Sequence, residues 1–80
     1  MFYCYILKSR QSNKYYVGST KDLNERLKLH NSGLVKSTKS AIPWVVVHSE
    51  KFESLSAARS RELKIKSWKS RLAIERLFEI

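Results

Sequence analysis

The N-terminal part of the chain contains two short segments of strand character on either side of a polar turn, and this arrangement restricts its possible folds most strongly. Phe2–Lys8 and Tyr15–Ser19 are rich in aromatic and β-branched residues, whereas Ser9–Lys14 between them is polar. Strands joined by so short a connection pair as antiparallel hairpins, because parallel strands need a long crossover. The pattern therefore predicts a β-hairpin within an antiparallel sheet.

The pairing within this hairpin determines which side chains share a face of the sheet. If the turn contains only the polar segment, simple pairing places Tyr5 opposite Gly18. Tyr16 then lies diagonally beside Tyr5 on the same face, because side chains on one face recur at every second residue. The sequence thus predicts two phenol groups on one surface, next to a residue without a side chain.

The remainder of the sequence alternates helical and extended patterns. Capping residues, apolar spacing and the Gly and Pro positions indicate a helix, an exposed basic loop, a strand and two further helices. Their predicted bounds, in chain order, are Asp22–Asn31 with a stop at Gly33, Leu34–Ile42, Trp44–Phe52, Ser54 or Ser56 to about Trp68, and Ser70–Phe78. The order ββαβαα predicts one α+β domain over residues 1–80, with a small three-stranded antiparallel sheet flanked by three helices.

The balance of charges indicates the kind of partner. In 80 residues, 16 Lys and Arg stand against 7 Asp and Glu, which gives a net charge of +9. This excess predicts a polyanionic partner such as DNA, and a merely solvated basic surface is the plainer alternative. A membrane partner would need an amphipathic basic helix with a wide apolar face, and no apolar run has the length of a membrane span, so no membrane contact is expected.

The single cysteine and the start of the chain bear on its location. Cys4 has no second cysteine with which to form a disulfide, and it lies within a predicted strand. A buried structural thiol in a reducing compartment is therefore expected, not a nucleophile. The first strand also lacks the basic start and apolar core of a signal peptide. Together these features predict a cytoplasmic protein.

Glu62 occupies a position where an apolar residue is expected. On a helical wheel it falls between Leu55, Ala58 and Ile65, so it interrupts an apolar stripe. A carboxylate that faces a core is costly unless it is paired or binds a metal ion. Glu62 is therefore a candidate metal ligand, and a salt bridge to one of the arginines is the structural alternative.

The first predicted helix shows a similar conflict at Arg26 and His30. They are one turn apart and flank its apolar face, which places their polar ends at the edge of the core. A packed, hydrogen-bonded histidine and a snorkelling arginine are the plain interpretations. With the two tyrosines and Glu62, however, they supply what phosphodiester hydrolysis needs: a water activator, a cationic clamp on the phosphate and a carboxylate for a metal ion.

The order of these residues resembles the GIY-YIG nuclease superfamily, in particular small stand-alone members similar to the incision domain of bacterial excision-repair nucleases. The resemblance covers nearly the whole chain. Its matching positions, in order, are Tyr3-Cys4-Tyr5, Tyr16-Val17-Gly18, Asp22-Leu23, Arg26-Leu27, His30-Asn31, Gly33, Lys36-Ser37-Thr38-Lys39, Pro43-Trp44, Glu62, Lys64 and Trp68. The first two signature positions are Tyr and Cys in place of Gly and Ile, and Ser19 stands where some relatives carry lysine.

The resemblance implies a DNA endonuclease that depends on one divalent ion, Mg²⁺ or Mn²⁺. It implies that Glu62 binds the ion, Tyr5 acts near the attacking water and Arg26 holds the scissile phosphate. Tyr16 would orient the nucleophile, and His30 would assist by hydrogen bonding or proton transfer. A phenol with a pKa near ~10 is a poor base at pH 7. Arg26 and the ion are therefore expected to lower that pKa, unless hydroxide arrives by another route.

Basic residues outside this set are predicted to hold nucleic-acid phosphates. They are Lys36, Lys39, Lys64, Lys66, Lys69 and Arg71. Since such contacts need no chemistry, a catalytically weak nucleic-acid-binding module on the same fold is the alternative function, and a basic adaptor for acidic proteins is a third. Trp44 and Trp68 border basic stretches, where core packing is expected over stacking on bases. The sequence carries no prediction of oligomeric state.

Overall fold

The computed structural model describes residues 1–79, which form three strands and three α-helices in the order ββαβαα. The elements are β1 (Phe2–Ser9), β2 (Tyr15–Thr20), α1 (Leu23–Asn31), β3 (Trp44–Phe52), α2 (Leu55–Ser67) and α3 (Arg71–Glu75), with a short 3-10 helix (Lys39–Ala41) before β3. Both strand pairings are antiparallel. The predicted α+β class, element order and three-stranded sheet are confirmed.

Strand β1 lies in the centre of the sheet, which has the order β2-β1-β3. Its position agrees with its sequence, because Cys4, Tyr5, Ile6 and Leu7 are all buried, as expected for a strand covered on both faces. Tyr5 pairs with Gly18, which confirms the predicted hairpin register. Against β3 the register shifts between Ile6 and Leu7, so this pairing contains an irregularity.

The two faces of the sheet carry separate apolar clusters, since consecutive strand residues point to opposite sides. The face that we call the α2 face is built from Cys4, Ile6, Val17 and Ile65, with Trp68, Ile74, Leu77 and Phe78 packed against them. The opposite face, which we call the α1 face, is built from Tyr5, Leu7, Ala41 and Trp44, with Tyr16, Leu23 and Leu27 packed against them. Helical segments therefore cover both sides of the sheet.

Each helix begins at a side chain that accepts a backbone hydrogen bond. Asp22, Ser54 and Ser70 cap α1, α2 and α3 by accepting from backbone N–H groups in the first turns. Of the two serines predicted for the start of α2, Ser54 is therefore the cap. Helix α1 ends shortly before Gly33, whose φ of +84° lies in the left-handed region that favours glycine.

The third helix is shorter than predicted, and it ends at Glu75 instead of Phe78. Beyond it the turns tighten, because Leu77 N–H donates to the Ile74 carbonyl and Phe78 N–H donates to the Glu75 carbonyl, as in a 3-10 helix. The apolar stripe itself is present, since Ile74, Leu77 and Phe78 all pack on the α2 face. The sequence thus indicated the buried side chains correctly and the backbone hydrogen bonding incorrectly.

Two expectations about exposure were also wrong. The stretch Leu34–Ile42 is not a wholly exposed loop, because Thr38 and Ala41 within it are only 1% and 5% exposed and its backbone turns into the 3-10 helix. Leu55, predicted on the buried stripe of α2, is instead 42% exposed. It is the first residue of its helix, outside the part between Ala58 and Ile65 that packs on the sheet.

Candidate active site

Tyr5 and Tyr16 lie together on the α1 face, as the hairpin register predicts. Their ring centroids are 6.4 Å apart, and Tyr5 is almost fully buried. Gly18 makes this packing possible, because a Cβ atom added there would lie 2.6 Å from Tyr5 Oη. The phenol of Tyr5 therefore fills the space that a side chain on β2 would need, which accounts for glycine at this position.

His30 joins the two tyrosines from the last turn of α1. It is buried, its Nε2 lies 3.1 Å from Tyr5 Oη, and its ring centroid lies 4.7 Å from that of Tyr16. Helix α1 thus presses an imidazole directly onto the two phenols. The three residues that the sequence assigned to one site are in contact in the structure.

Thr38 sets the direction of the hydrogen bonds in this cluster. Its Oγ1 lies 2.9 Å from His30 Nδ1 and 3.4 Å from the carbonyl oxygen of Val35. A threonine hydroxyl has one proton, so if it donates to the carbonyl, it accepts from Nδ1–H of the histidine. Nε2 then carries no proton and accepts from the Tyr5 hydroxyl. We assign this tautomer from the hydrogen-bond network.

Burial shifts the pKa values of Tyr5 and His30 in opposite directions. Burial raises the pKa of Tyr5, Tyr16 raises it further, and the positive charge of Arg26 offsets only part of the shift. Burial and then the charge of Arg26 lower the pKa of His30, which keeps the imidazole neutral near pH 7. Arg26 does lower the pKa of the Tyr5 phenol, as expected, but burial outweighs this effect and the pKa is raised overall.

Arg26 is exposed one turn before His30 on α1. Its charge influences the pKa values of both Tyr5 and His30, so it lies at the edge of the tyrosine–histidine cluster. Within residues 1–79 it forms no ion pair with a carboxylate. A guanidinium group in this position is available to bind an anion, and its planar donors match the oxygens of a phosphate.

Glu62 lies on the α2 face, opposite the tyrosine cluster. Its Oε1 accepts a hydrogen bond from Ser19 Oγ at 2.6 Å, and its Oε2 pairs with Lys66 Nζ at 2.6 Å. Burial opposes ionisation of this carboxylate, but the bonds from Lys66 and Ser19 outweigh burial and lower its pKa. The salt bridge considered from the sequence therefore exists, with a lysine in place of an arginine. The charge of Glu62 also raises the pKa of Tyr5.

The donor atoms around Glu62 limit which metal ion they can hold. Within the described part of the chain, no three His, Cys, Asp or Glu side chains form a metal-binding group. Mg²⁺ in proteins commonly keeps several waters and binds one or two carboxylates together with substrate phosphates. One ionised carboxylate beside the Ser19 hydroxyl fits that kind of ligand set, and it does not fit a closed structural zinc site.

The residues predicted to bind phosphates are all exposed, but they differ in their contacts. They are Lys36, Lys39, Lys64, Lys66, Lys69 and Arg71. Of these, Lys66 is paired with Glu62. Arg71 has its guanidinium carbon 4.5 Å from the Tyr15 ring centroid, pairs with Glu75 at 3.1 Å and donates to the Asn13 carbonyl. Arg71 therefore anchors α3 to the hairpin, and its phosphate contact stays a prediction.

An open cavity of about 360 Å³ connects the tyrosine cluster with the basic residues. Its lining includes Tyr16, Trp44, Lys14, Lys66 and Lys69, and within residues 1–79 no carboxylate lines it. The cavity is therefore positive and has aromatic walls on one side.

No helix within residues 1–79 combines the length and apolar character needed to cross a membrane.

Core packing is confirmed for both tryptophans. Trp44 is 3% exposed, and its Nε1 donates to the Thr38 carbonyl at 2.9 Å, so it secures the loop that carries Thr38. Trp68 packs against the α2 face, with the Arg61 guanidinium carbon 5.6 Å from its ring centroid. The sequence analysis assigned no role to Thr38 or Ser19, whose contacts with His30 and Glu62 join residues far apart in the chain.

The model of the GIY-YIG catalytic domain family matches residues 1–75. The chain belongs to this family, and so to the nuclease superfamily that its ordered motif resembles. A UPF0213 protein of Staphylococcus haemolyticus is 40% identical over 67 residues, which are 82% of this chain and 80% of that protein. A UPF0213 protein of Streptococcus pneumoniae serotype 4 is 37% identical over 65 residues, and the match spans 65% of its length.

A solved structure is also similar. The solution NMR structure of a UPF0213 protein from Bacillus halodurans matches with a TM-score of 0.58 and 34% sequence identity. The match covers 96% of this chain and 82% of that chain. Because sequence and backbone agree over nearly the whole chain, this similarity supports the same family membership.

Proposed function

We propose that the protein is a divalent-metal-dependent DNA endonuclease that hydrolyses phosphodiester bonds by a one-metal mechanism. The observation that carries this proposal is the buried hydrogen-bond chain from Tyr5 through His30 to Thr38, found in a member of a nuclease family. Apolar side chains of similar volume would stabilise a small core at least as well as these polar groups. A phenol, an imidazole and a hydroxyl in sequence suit proton transfer.

In this mechanism Tyr5 activates water through a relay. Its oxygen takes a proton from the attacking water while its own proton passes to Nε2 of His30, so no free phenolate is required. The raised pKa of Tyr5 and the lowered pKa of His30 agree with a neutral pair before the step. Thr38 holds the Nδ1–H side of the ring, which keeps Nε2 open to the phenol.

Substrate binding makes this relay more favourable. Arg26 binds the scissile phosphate and neutralises the charge that develops on its equatorial oxygens. A bound phosphate also compensates the charge of Arg26, which is one of the two causes of the low pKa of His30. The imidazole thus becomes a better proton acceptor when the substrate is in place. Tyr16, in contact with His30, orients the attacking water.

Glu62 holds one divalent ion, Mg²⁺ or Mn²⁺. When bound, the ion supplies Lewis-acid stabilisation of the leaving oxygen. Glu62 is ionised for this role, because the bonds from Ser19 and Lys66 outweigh burial and lower its pKa. Ser19 further fixes the orientation of the carboxylate through its bond to Oε1.

The substrate is DNA, held mainly through its phosphates. The net charge of +9 and the positive cavity beside Tyr16 support this assignment. We expect binding to weaken steeply with salt, with a log-log slope of magnitude ~3 to 5 if four to six phosphates are neutralised. Fluorescence anisotropy with labelled oligonucleotides over a salt series measures this slope. A flat response would contradict a phosphate-based interface.

A second candidate function is a nucleic-acid-binding module without appreciable catalysis. It is favoured by one observation: both carboxylate oxygens of Glu62 have protein partners, Ser19 and Lys66. On this interpretation the carboxylate is structural and the cations around the cavity hold phosphates alone. Both candidates predict DNA binding, so they differ only in metal-dependent hydrolysis.

A nicking assay separates the two candidates. Supercoiled plasmid and single-stranded DNA are incubated with the protein and Mg²⁺ or Mn²⁺, with a chelator as the blank. The endonuclease predicts metal-dependent nicks that disappear in Tyr5→Phe and Glu62→Gln. Tyr3→Phe is the matched control, because it removes a phenol hydroxyl from the same strand outside the cluster. Salt-sensitive binding without nicks in any metal would favour the binding module.

A further inference from the structure

Lys66 already occupies the place next to the proposed metal ligand. Its Nζ lies 2.6 Å from Glu62 Oε2, one helical turn away on α2, and Ser19 holds the other carboxylate oxygen. The ammonium group of Lys66 therefore neutralises the negative charge of the Glu62 carboxylate. A divalent ion can coordinate Oε2 fully only after the ammonium group moves, because two cations at one oxygen repel each other.

Lys66 also has a second position within reach. It lines the positive cavity of about 360 Å³ together with Lys69 and Tyr16, and its side chain is 47% exposed. The lysine stem is flexible, and its ammonium is a compact point charge that can bind a carboxylate or a phosphate. A phosphate in the cavity, surrounded by further cations, is thus a competing partner for the same ammonium group.

We propose that Lys66 is a positioning residue that couples DNA binding to metal binding. It shields Glu62 in the free protein and moves to a DNA phosphate in the cavity when substrate arrives. This proposal rests on the proposed function, in which Glu62 holds the divalent ion. Because coupling between two ligands is reciprocal, DNA strengthens metal binding and the metal strengthens DNA binding by the same factor.

The first arm of the test measures metal affinity without DNA. Mn²⁺ is titrated into the full chain, and the electron paramagnetic resonance signal of the free ion reports binding. We expect Lys66→Met to bind Mn²⁺ about five- to tenfold more tightly than wild type, since a repelling charge is gone. Lys51→Met is the control, because it removes the same charge from an exposed position on β3. Glu62→Gln defines the binding that does not involve this carboxylate.

The second arm measures the coupling itself. Single-stranded and branched oligonucleotides are titrated with and without Mn²⁺ in a Tyr5→Phe background, which leaves the DNA uncut and keeps both Glu62 and Lys66. With Lys66 present, Mn²⁺ is expected to tighten DNA binding severalfold. With Lys66→Met added, that factor should fall by half or more, because Glu62 no longer has to be released. Some coupling persists through direct contact of the ion with phosphate.

The possible outcomes separate the coupling from the function on which it rests. If Glu62→Gln weakens Mn²⁺ binding but Lys66→Met leaves affinity and coupling at wild-type values, the role of Lys66 is overturned and the endonuclease proposal stands. If Glu62→Gln does not change Mn²⁺ binding, or wild type binds none even with DNA, both are overturned. Lys66→Gln should reproduce Lys66→Met, and matching thermal melts of both confirm that the fold is kept.

Discussion

The two faces of one small sheet hold polar groups in opposite ways. On the α1 face, Tyr5, His30 and Thr38 are each no more than 2% exposed, and they are joined as neutral donors and acceptors. On the α2 face, Glu62 and Lys66 carry charges and have side chains that are 17% and 47% exposed. The same β-hairpin supports both arrangements.

A second ionic cluster on the α2 face also consists of charged side chains that are partly exposed. Glu50 of β3 pairs with Arg61 of α2 at 2.9 Å and with His48 at 2.8 Å. Burial opposes ionisation of Glu50, but hydrogen bonds from Arg61 and His48 outweigh burial and lower its pKa. Charges are thus kept at a rim that ions and phosphates can reach, whereas groups in the core stay neutral. In the proposed mechanism, proton transfer is assigned to the α1 face and charge stabilisation by the metal ion to the α2 face.

Glu62→Ala is expected to have the largest effect. It should reduce cleavage by at least about 100-fold, since the metal ligand is lost. Measured without a divalent ion, DNA binding should persist or tighten, because a negative charge is removed. Stability should change by less than about 1 kcal/mol, because the partner Lys66 is exposed and remains solvated, whereas a broken buried pair costs ~3 to 5 kcal/mol.

Nicking assays, DNA titrations and metal-free thermal melts measure these three effects of Glu62→Ala. Glu53→Ala, which removes an exposed acid before α2, is the matched control. A variant that unfolds readily yet keeps wild-type turnover per folded molecule would show that the proposed division between the faces is wrong.

Tyr5→Phe should also reduce cleavage strongly, by about 100- to 10,000-fold, because the proposed relay loses the hydroxyl that would take a proton from the attacking water. Unlike Glu62→Ala, it should reduce stability as well, by ~1 to 3 kcal/mol, since Nε2 of buried His30 loses its hydrogen-bond donor. Urea unfolding and single-turnover cleavage measure the two effects. Equal stability of Tyr5→Phe and wild type would argue against the hydrogen bond between Tyr5 and His30.

The strand and cap positions of this fold could be read from the sequence, because they depend on local chemistry. A polar turn between aromatic segments determined the pairing of Tyr5 with Gly18. Side chains that can accept from nearby N–H groups indicated Asp22 at the start of α1 and limited the cap of α2 to Ser54 or Ser56, of which Ser54 is the one observed. Such features involve residues close together in the chain, so neighbouring residue types are sufficient to predict them.

The contacts that complete the site depend on long-range packing, which local patterns do not encode. Thr38 lies in a polar stretch without apolar period, and its burial comes from long-range contacts with His30 and with the Trp44 indole that donates to its carbonyl. Asn31 binds both the N–H and the carbonyl of Trp44, which brings the end of α1 to the start of β3. The pairing of Glu62 with Lys66 has the local i, i+4 spacing of a helical ion pair, but the sequence analysis expected an arginine as the partner.

Thr38→Val tests the hydrogen bonds of the α1 face with a smaller expected loss of cleavage than Tyr5→Phe. It keeps the shape of the side chain but leaves Nδ1–H of His30 without an acceptor, so we expect a loss of ~1 to 3 kcal/mol in stability. Cleavage should fall less than in Tyr5→Phe, because the phenol and Nε2 remain. Thr38→Ser retains the hydroxyl and should recover most of both losses. If serine does not recover them, packing of the methyl group is the cause.

The smallest effect is the pH dependence of stability, which assigns a separate pH window to each face. The pKa of His30 is lowered in the folded protein from an ordinary value of 6.5. The unfolded chain therefore binds more protons as the pH falls below 6.5, and stability decreases until the folded pKa is reached. Glu62 and Glu50 also have lowered pKa values, from 4.5, so their stabilisation is complete above 4.5 and is lost as the pH falls through the folded values.

Urea unfolding between about pH 8 and pH 3 should thus show two decreases, the first below 6.5 from the α1 face and the second below 4.5 from the α2 face. His30→Gln cannot titrate, so it should remove the first decrease and leave the second. Glu62→Gln should reduce only the second, and Glu50 should supply what remains. Glutamine stays neutral in the folded and the unfolded chain, so it takes up no protons. If stability still decreases below pH 6.5 in His30→Gln, another group must titrate in that range.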